Sequence, residues 1–376
     1  MALNIPELYL LQEPRLPMDK LYRICFLFPG DGFSPCGGLK VILEYGNRLV
    51  RDGHEVHIAY AGSIFWKQKS RFHKGTAILR YIQHCFRGYS ARGWFPLDSR
   101  VKEHFCFSLS ESHVPEADIY IATSPHTAIY LQKYRKSCRK YYFLQGFENW
   151  GQFSKTDVLR TYRFPFQKIV ISQWLADIVR GEGEECHLVP NGFDFQRFSL
   201  SVPIEKKDPY RVTMLYHTMA RKDCPTGFKA LTLVHQKYPQ LRVNLFGVPE
   251  RPDNLPEWMD YYQQPDAKTH NRIYNEAAIY LGTSQTEGWG LTVGEAMICG
   301  QAVVCTDNPG YLEMARDGLN ALVAPVGDAE TLAKKMIQLI EEPALRLTLA
   351  TQGNKDIQNF TWEKAYDKFK KALGVK

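Results

Sequence analysis

The chain has 376 residues, 44% apolar, 23% charged and 13% aromatic, which suggests two domains and excludes a small single module or a disordered, collagenous or repeat-array chain. The formal net charge of +7 lies in residues 1–190, and within 61–180 there are 19 Lys+Arg against 8 Asp+Glu. Such asymmetry points to an anionic partner (a membrane surface, a phosphorylated acceptor or nucleic acid) or to an ordinary solvated surface.

No apolar run approaches the roughly 18 residues needed to span a bilayer. The first 20 residues have neither a basic n-region nor a small-residue cleavage site, so no secretory signal is expected. Nine cysteines without a CxxC pair disfavour a disulfide framework and a zinc ribbon, and a reducing cytoplasm is expected.

In chain order, Arg23–Pro29 reads as a buried strand. The Gly-rich turn Gly30–Gly38 follows, then a helix whose Leu39, Ile42, Leu43, Leu49 and Val50 share a face. Gly53 is a plausible C-cap and Glu55–Tyr60 a second strand, which completes a βαβ unit. Further strands are expected at Ile119–Thr123, Lys140–Leu144 and Lys168–Ile171. After the turn Val189–Gly192 the alternation restarts at Arg211–Tyr216, with strands at Leu241–Phe246, Ala278–Leu281 and Ala302–Cys305. Helices are expected at about 225–238, 291–299 and 328–341. Trp362, Ala365, Tyr366 and Phe369 recur at i, i+3, i+4, i+7 in a terminal amphipathic helix. The expected class is α/β, with two doubly wound Rossmann-like domains and a ligand site in the cleft between them.

The most informative stretch is Ser284–Met297, SQTEGWGLTVGEAM, placed between a strand and a helix. Its glycines let the backbone approach a ligand, and the first N–H groups of the next helix suit a phosphate. Glu287 and Glu295 would be repelled by a phosphate, so they should face hydroxyl groups, as an acidic residue does on a dinucleotide's ribose. A dinucleotide-binding GxGxxG is a poor fit, because Pro35 stands where the third glycine of Gly30-Asp31-Gly32 belongs.

Glu287 and Glu295 resemble the EX7E pattern of retaining glycosyltransferase family 4, whose fold is GT-B. Residues 287–333 are similar to that family's donor-binding region, Val189–Phe198 to its inter-domain segment and Gly37-Gly38 to its N-terminal glycine loop. The resemblance implies an acceptor-binding domain at 1–193 with an extension at 1–20, a nucleotide-sugar-binding domain at 194–355, and a helix at 356–376 packing back on the first domain.

It further implies that Glu295 holds ribose hydroxyls, that Glu287 contacts the transferred sugar, and that Gly288, Trp289, Gly290 and Leu291 supply backbone contacts. Lys222 takes the place of the family's diphosphate-binding lysine. The arginine's place falls on His217, or its task passes to Arg221. Gln145 stands where the family often has a histidine, with Glu148 and His126 as further polar candidates. The sequence has no Asp-x-Asp pair, so cations and helix termini are expected to neutralise the departing diphosphate without a metal. No cofactor is implied beyond the donor, a nucleotide-diphosphate sugar of which UDP is the commonest form.

The acceptor would be a glycan, a lipid-linked sugar or another hydroxyl compound. Basic and aromatic residues between 64 and 107 (Trp66, Lys67, Lys69, Arg71, Phe72, Lys74, Arg80, Phe86, Arg87, Arg92, Trp94, Phe95, Arg100) suit an anionic membrane or are partly core. Peripheral attachment at the inner face of the membrane is one expectation. Nothing resembles an RRM, KH or helix-turn-helix signature, so no nucleic-acid partner is expected. Rival expectations are a nucleotide-sugar epimerase or phosphorylase of GT-B architecture, and a non-catalytic glycan- or membrane-binding scaffold.

Overall fold

The computed structural model describes residues 20–33, 35–64, 71–149 and 153–376. Residues 1–19, Trp66, Lys67, Lys69 and Trp150 lie outside that set, as do the side chains of Arg71, Phe72, Lys74, Arg80 and Arg87.

The first unit runs β1 (Arg23–Phe28), α1 (Gly37–Arg51), β2 (Glu55–Ala61), α2 (Arg71–Arg87), β3 (Lys102–Cys106), β4 (Ile119–Ala122), α3 (Pro125–Leu131), β5 (Arg139–Leu144), α4 (Lys155–Tyr162), β6 (Gln167–Val170), α5 (Gln173–Gly181) and β7 (Cys186–Leu188). Its seven strands are all parallel, in the order β3-β2-β1-β4-β5-β6-β7.

The second unit runs β8 (Asp208–Leu215), α6 (Cys224–Lys237), β9 (Arg242–Gly247), β10 (Met259–Gln263), α7 (Ala267–Glu276), β11 (Ala277–Gly282), α8 (Leu291–Ile298), β12 (Ala302–Thr306), α9 (Pro309–Leu312), β13 (Ala321–Ala324), α10 (Ala329–Glu341) and α11 (Pro343–Ile357). Its six strands are also parallel, in the order β10-β9-β8-β11-β12-β13. In each sheet the order reverses between two strands, β1 and β4 in one and β8 and β11 in the other. Ligands of open parallel sheets sit beyond the carboxyl ends of such strands.

Central strands are covered on both faces, so they read as continuous apolar runs; all six residues of β11 are buried. The edge strands β3 and β10 carry Lys102, Glu103, Asp260 and Gln263 and are half-exposed. They lack the apolar run that marks the central strands. α1 buries the expected Leu39, Ile42, Leu43, Leu49 and Val50, and Gly53, at φ +94°, turns the chain into β2.

The last helix, α12 (Trp362–Leu373), leaves the second unit and packs on the first. Phe369 stacks on Tyr45 at 3.9 Å between ring centroids and lies 6.4 Å from Phe26. Tyr366 and Lys370 both reach Asp52, at 2.8 and 3.0 Å. Where the chain crosses between the units, the Phe193 N–H donates to the Phe360 carbonyl at 3.0 Å.

Part of the basic-aromatic stretch is internal framework. The Trp94 indole donates to the Gly32 carbonyl at 2.8 Å, and Phe95 is buried. Arg92 bonds the carbonyls of Leu97 and Val101 at 3.0 and 2.7 Å and pairs with Glu103 at 3.2 Å. Arg100 pairs with Asp98 at 2.8 Å. These residues clasp the 89–103 loop and do not form a free basic face. A cluster of exposed apolar side chains lies on α2, where Ile78, Leu79, Ile82 and Phe86 are open to solvent, Phe86 at 87%.

Candidate functional site

The two loops that flank the switch point of the second sheet meet there. The loop after β8 carries Arg221 and Lys222. The next residue, Asp223, has a left-handed backbone (φ 46°), which turns the chain into α6. The loop after β11 carries Ser284 and Glu287. Lys222 Nζ lies 2.5 Å from Glu287 Oε1, the Ser284 hydroxyl donates to the same oxygen at 2.7 Å, and Arg221 lies 3.5 Å from Oε2. Tyr311 in turn donates to Ser284 Oγ at 3.0 Å. Burial pushes the Glu287 carboxyl up, but the charge and hydrogen bond of Lys222, the Ser284 hydroxyl and the Arg221 charge outweigh it. The carboxyl lies below its ordinary range.

Glu295 sits one turn into α8 and is 7% exposed. Tyr274 donates to its Oε2 at 3.2 Å. Burial raises its pKa, and the charges of Lys40 and Arg197 and the Tyr274 bond only partly oppose that. Lys40 comes from α1 of the first unit and Arg197 from the segment joining the two, so three parts of the chain converge here. Gly290, at φ +92°, begins α8 with no side-chain cap. No side chain caps the helix's first N–H groups; those of Val293 and Gly294 bond the Gly290 carbonyl, at 3.1 and 3.4 Å. The Trp289 ring is 3% exposed and edge-on to Phe360 at 5.3 Å.

The first unit supplies the opposite wall. Gln145, just past β5, donates to the Gly38 carbonyl at 3.1 Å. A Cβ on Gly37 would stand 3.4 Å from Leu291, and one on Gly288 would stand 1.8 Å from the Gln145 carbonyl oxygen. Gly288 is thus the point where the two units touch backbone to backbone, and no side chain fits there. Glu148, half-buried in the same loop, has its carboxyl pushed up to about 8 by burial, partly opposed by Arg221. His126 instead packs edge-on against Phe153 at 4.5 Å, with burial lowering its pKa.

His217 follows β8 and accepts from the Met219 N–H through Nδ1 at 3.0 Å. Burial, then the charges of Lys222 and Arg221, lower its pKa against the pull of Glu287. Both influences favour its uncharged form. Of the two alternatives left by the sequence, Arg221 is the residue that brings a second cation to Glu287.

Sequence reasoning did not reach Lys40, Arg197, Tyr274, Ser284 or Tyr311. All but Tyr274 lie in or beside the motif segments, but no spacing singles these side chains out, and only the meeting of distant loops gives them a part.

Residues 202–356 match the family model described as "Glycosyl transferases group 1". Among curated proteins, the chain is 36% identical over 81 residues to an uncharacterized glycosyltransferase of Methanocaldococcus jannaschii, covering 22% of this chain and 23% of that protein. It is 23% identical over 220 residues to the phosphatidyl-myo-inositol mannosyltransferase of Mycolicibacterium smegmatis, covering 54% and 56% respectively. The matches thus span about a quarter to just over half of those relatives' length. Among solved structures, Anabaena HepE in complex with UDP-glucose superposes with a TM-score of 0.69 at 16% identity, covering 94% of this chain and 99% of that one. Sucrose-phosphate synthase from Thermosynechococcus elongatus gives 0.68 at 16% identity, covering 94% and 98%. The architecture is GT-B.

Proposed function

We propose that the chain is a retaining glycosyltransferase that moves a sugar from a nucleotide-diphosphate sugar, a UDP-sugar first among them, to a hydroxyl of a glycan or lipid-linked acceptor. The observation that carries this reading is the assembly at one switch point of a buried carboxylate (Glu287), two cations on it (Lys222 and Arg221) and an uncapped helix N-terminus (α8). The matching family model and a same-fold protein solved with UDP-glucose support the donor class.

In this reading Glu295 grips the ribose hydroxyls. A carboxylate with a raised pKa regains favourable interactions when it accepts two hydroxyl protons. The diphosphate lies between the α8 N-terminus and Lys222 and Arg221, which neutralise the charge that grows as it leaves. Binding draws Lys222 toward the phosphate and frees an oxygen of Glu287 for a hydroxyl of the transferred sugar. The bond from the sugar's anomeric carbon to the phosphate oxygen breaks. The acceptor oxygen forms its bond to the same face, and the departing phosphate oxygen takes the acceptor's proton. No protein base is needed, in keeping with Gln145 where a titratable group would stand. Nor does this route require a metal.

The acceptor domain would meet its substrate at the inner, anionic face of a membrane. No helix among the described residues is long and apolar enough to cross one. On α2, however, Ile78, Leu79, Ile82 and Phe86 fall at i, i+1, i+4 and i+8 on one exposed face, within the segment that holds the excess positive charge. An exposed apolar face in a stretch whose sequence is net positive suits adsorption to anionic lipid.

The test is a thermal-shift screen of the protein against UDP, GDP, ADP, CMP and their sugar conjugates, with and without magnesium. A shift with one nucleotide that survives chelation and is lost in Glu295→Ala is the expected result. A shift unaffected by Glu295→Ala removes the donor assignment.

A further inference from the structure

The N-terminus of α5 in the first domain is capped by a side chain from the second. Its own N-cap, Ser172, is fully buried, yet its hydroxyl makes no hydrogen bond. Glu313, which ends α9, supplies the acceptor instead: its Oε1 takes the backbone N–H of Gln173 at 2.7 Å and of Trp174 at 3.2 Å. A carboxylate there satisfies two donors that have no partner within the helix and favourably meets the positive end of its dipole.

A further bond runs in the same direction, from α5 to the second domain. The Trp174 indole N–H donates to the carbonyl of Gly288 at 3.2 Å. Gly288 directly follows Glu287 and is the residue whose backbone abuts Gln145. One helix end thus holds the second domain at two places, the α9 corner and the loop that carries Glu287.

We propose that Glu313 and Trp174 form the latch that closes the two domains, and that Trp174 is a positioning residue which sets the Gly288 carbonyl and, through it, the Glu287 loop. This assignment of Trp174 rests on the reading of that loop as the donor site; the latch itself does not. Burial raises the Glu313 carboxyl's pKa, the two N–H bonds only partly oppose this, and the nearby Asp177 adds to the rise.

The experiment is small-angle scattering of the full chain, wild type against Glu313→Ala and Trp174→Phe, without nucleotide and with saturating UDP, alongside donor kinetics. Without nucleotide, both variants are expected to show a larger radius of gyration than wild type at an unchanged melting temperature. Donor turnover should fall on the order of 10²-fold, the loss expected for an angstrom-scale misplacement, while UDP affinity is retained. That split distinguishes positioning from a general structural role. If Glu313→Ala does not fold, Trp174→Phe alone decides, because it removes the indole N–H and leaves an aromatic ring in place. An unchanged radius in a folded variant overturns the latch even if UDP binding is intact. A wild type that responds to no nucleotide counts against the donor site, while the nucleotide-free radii still decide the latch.

Discussion

Lys222 Nζ and Glu287 Oε1 stand 2.5 Å apart, although 65 residues separate them in the chain. They come together because β8 and β11, whose following loops carry them, are neighbours at the point where the strand order of the second sheet reverses. Their side chains are 15% and 13% exposed, so the pair lies in a setting where removal of one partner is felt strongly. Lys222→Ala leaves the carboxylate with Arg221 and Ser284 only. It is expected to destabilise by about 3 kcal/mol, the lower end for a broken buried pair. Turnover should fall on the order of 10²–10³-fold. Denaturant midpoints and steady-state rates check both, and a double change, Lys222→Met with Glu287→Gln, should recover stability without recovering turnover.

Glu148 gives a pH dependence whose sign is fixed by its raised pKa. The folded protein holds this proton up to about pH 8, whereas an unfolded chain releases it near pH 4.3. Folding therefore favours the neutral form, and wild-type stability falls as pH rises through that window. Glu148→Gln should match wild type at pH 4 and melt at a higher temperature than wild type at pH 8. Glu295, also raised by burial, follows the same sign. Glu295→Gln should therefore be more stable than wild type at neutral pH without ligand, while losing the nucleotide-induced shift. Melting curves from pH 4 to 8 settle both.

At Gly288 a methyl group would meet the Gln145 carbonyl oxygen at 1.8 Å. Backbone cannot rotate away as a side chain can, so Gly288→Ala must push the two domains apart. The expected outcome is a fold that survives, with donor turnover reduced about 10²-fold. Gly318, a left-handed glycine with nothing near its added Cβ, is the control. Gly318→Ala should lower the melting temperature through backbone strain and leave turnover per folded molecule unchanged.

The exposed face of α2 is checked by sedimentation with phosphatidylserine vesicles. Wild type should pellet at low salt and be released by high salt, as screened charges require. Ile82→Asp with Phe86→Asp should weaken binding at least tenfold, since each large apolar side chain contributes about 1.5–3 kcal/mol when fully buried. Equal pelleting of variant and wild type would remove the membrane from the proposed function.

Legibility followed burial. Where both faces of a strand are covered, composition alone marks it, and β1, β5, β11 and β12 stand out in the sequence. Where an edge strand is half wet, as in β3 and β10, no periodicity sets it apart from a loop. The glycine-rich loop before α8 was legible because a strand-to-helix turn that approaches a ligand needs glycine, and Gly290 takes a left-handed conformation there. His217 and Arg221 could not be ranked from spacing, because the choice depends on which side chain faces Glu287 after the 216–223 loop has folded.

The α/β class, the tandem of two units, the apolar helix faces and the glycine-rich turn that begins α8 were determined by local pattern, since backbone geometry and burial act over a few residues at a time. Tertiary structure alone decided which charges meet. It set Lys222 and Arg221 on Glu287, brought Lys40 and Arg197 toward Glu295, and placed Glu313 on the N-terminus of α5. The first depends on loops of neighbouring strands meeting at one end of the second sheet, and the others on the two units facing each other. No sequence period records that distance.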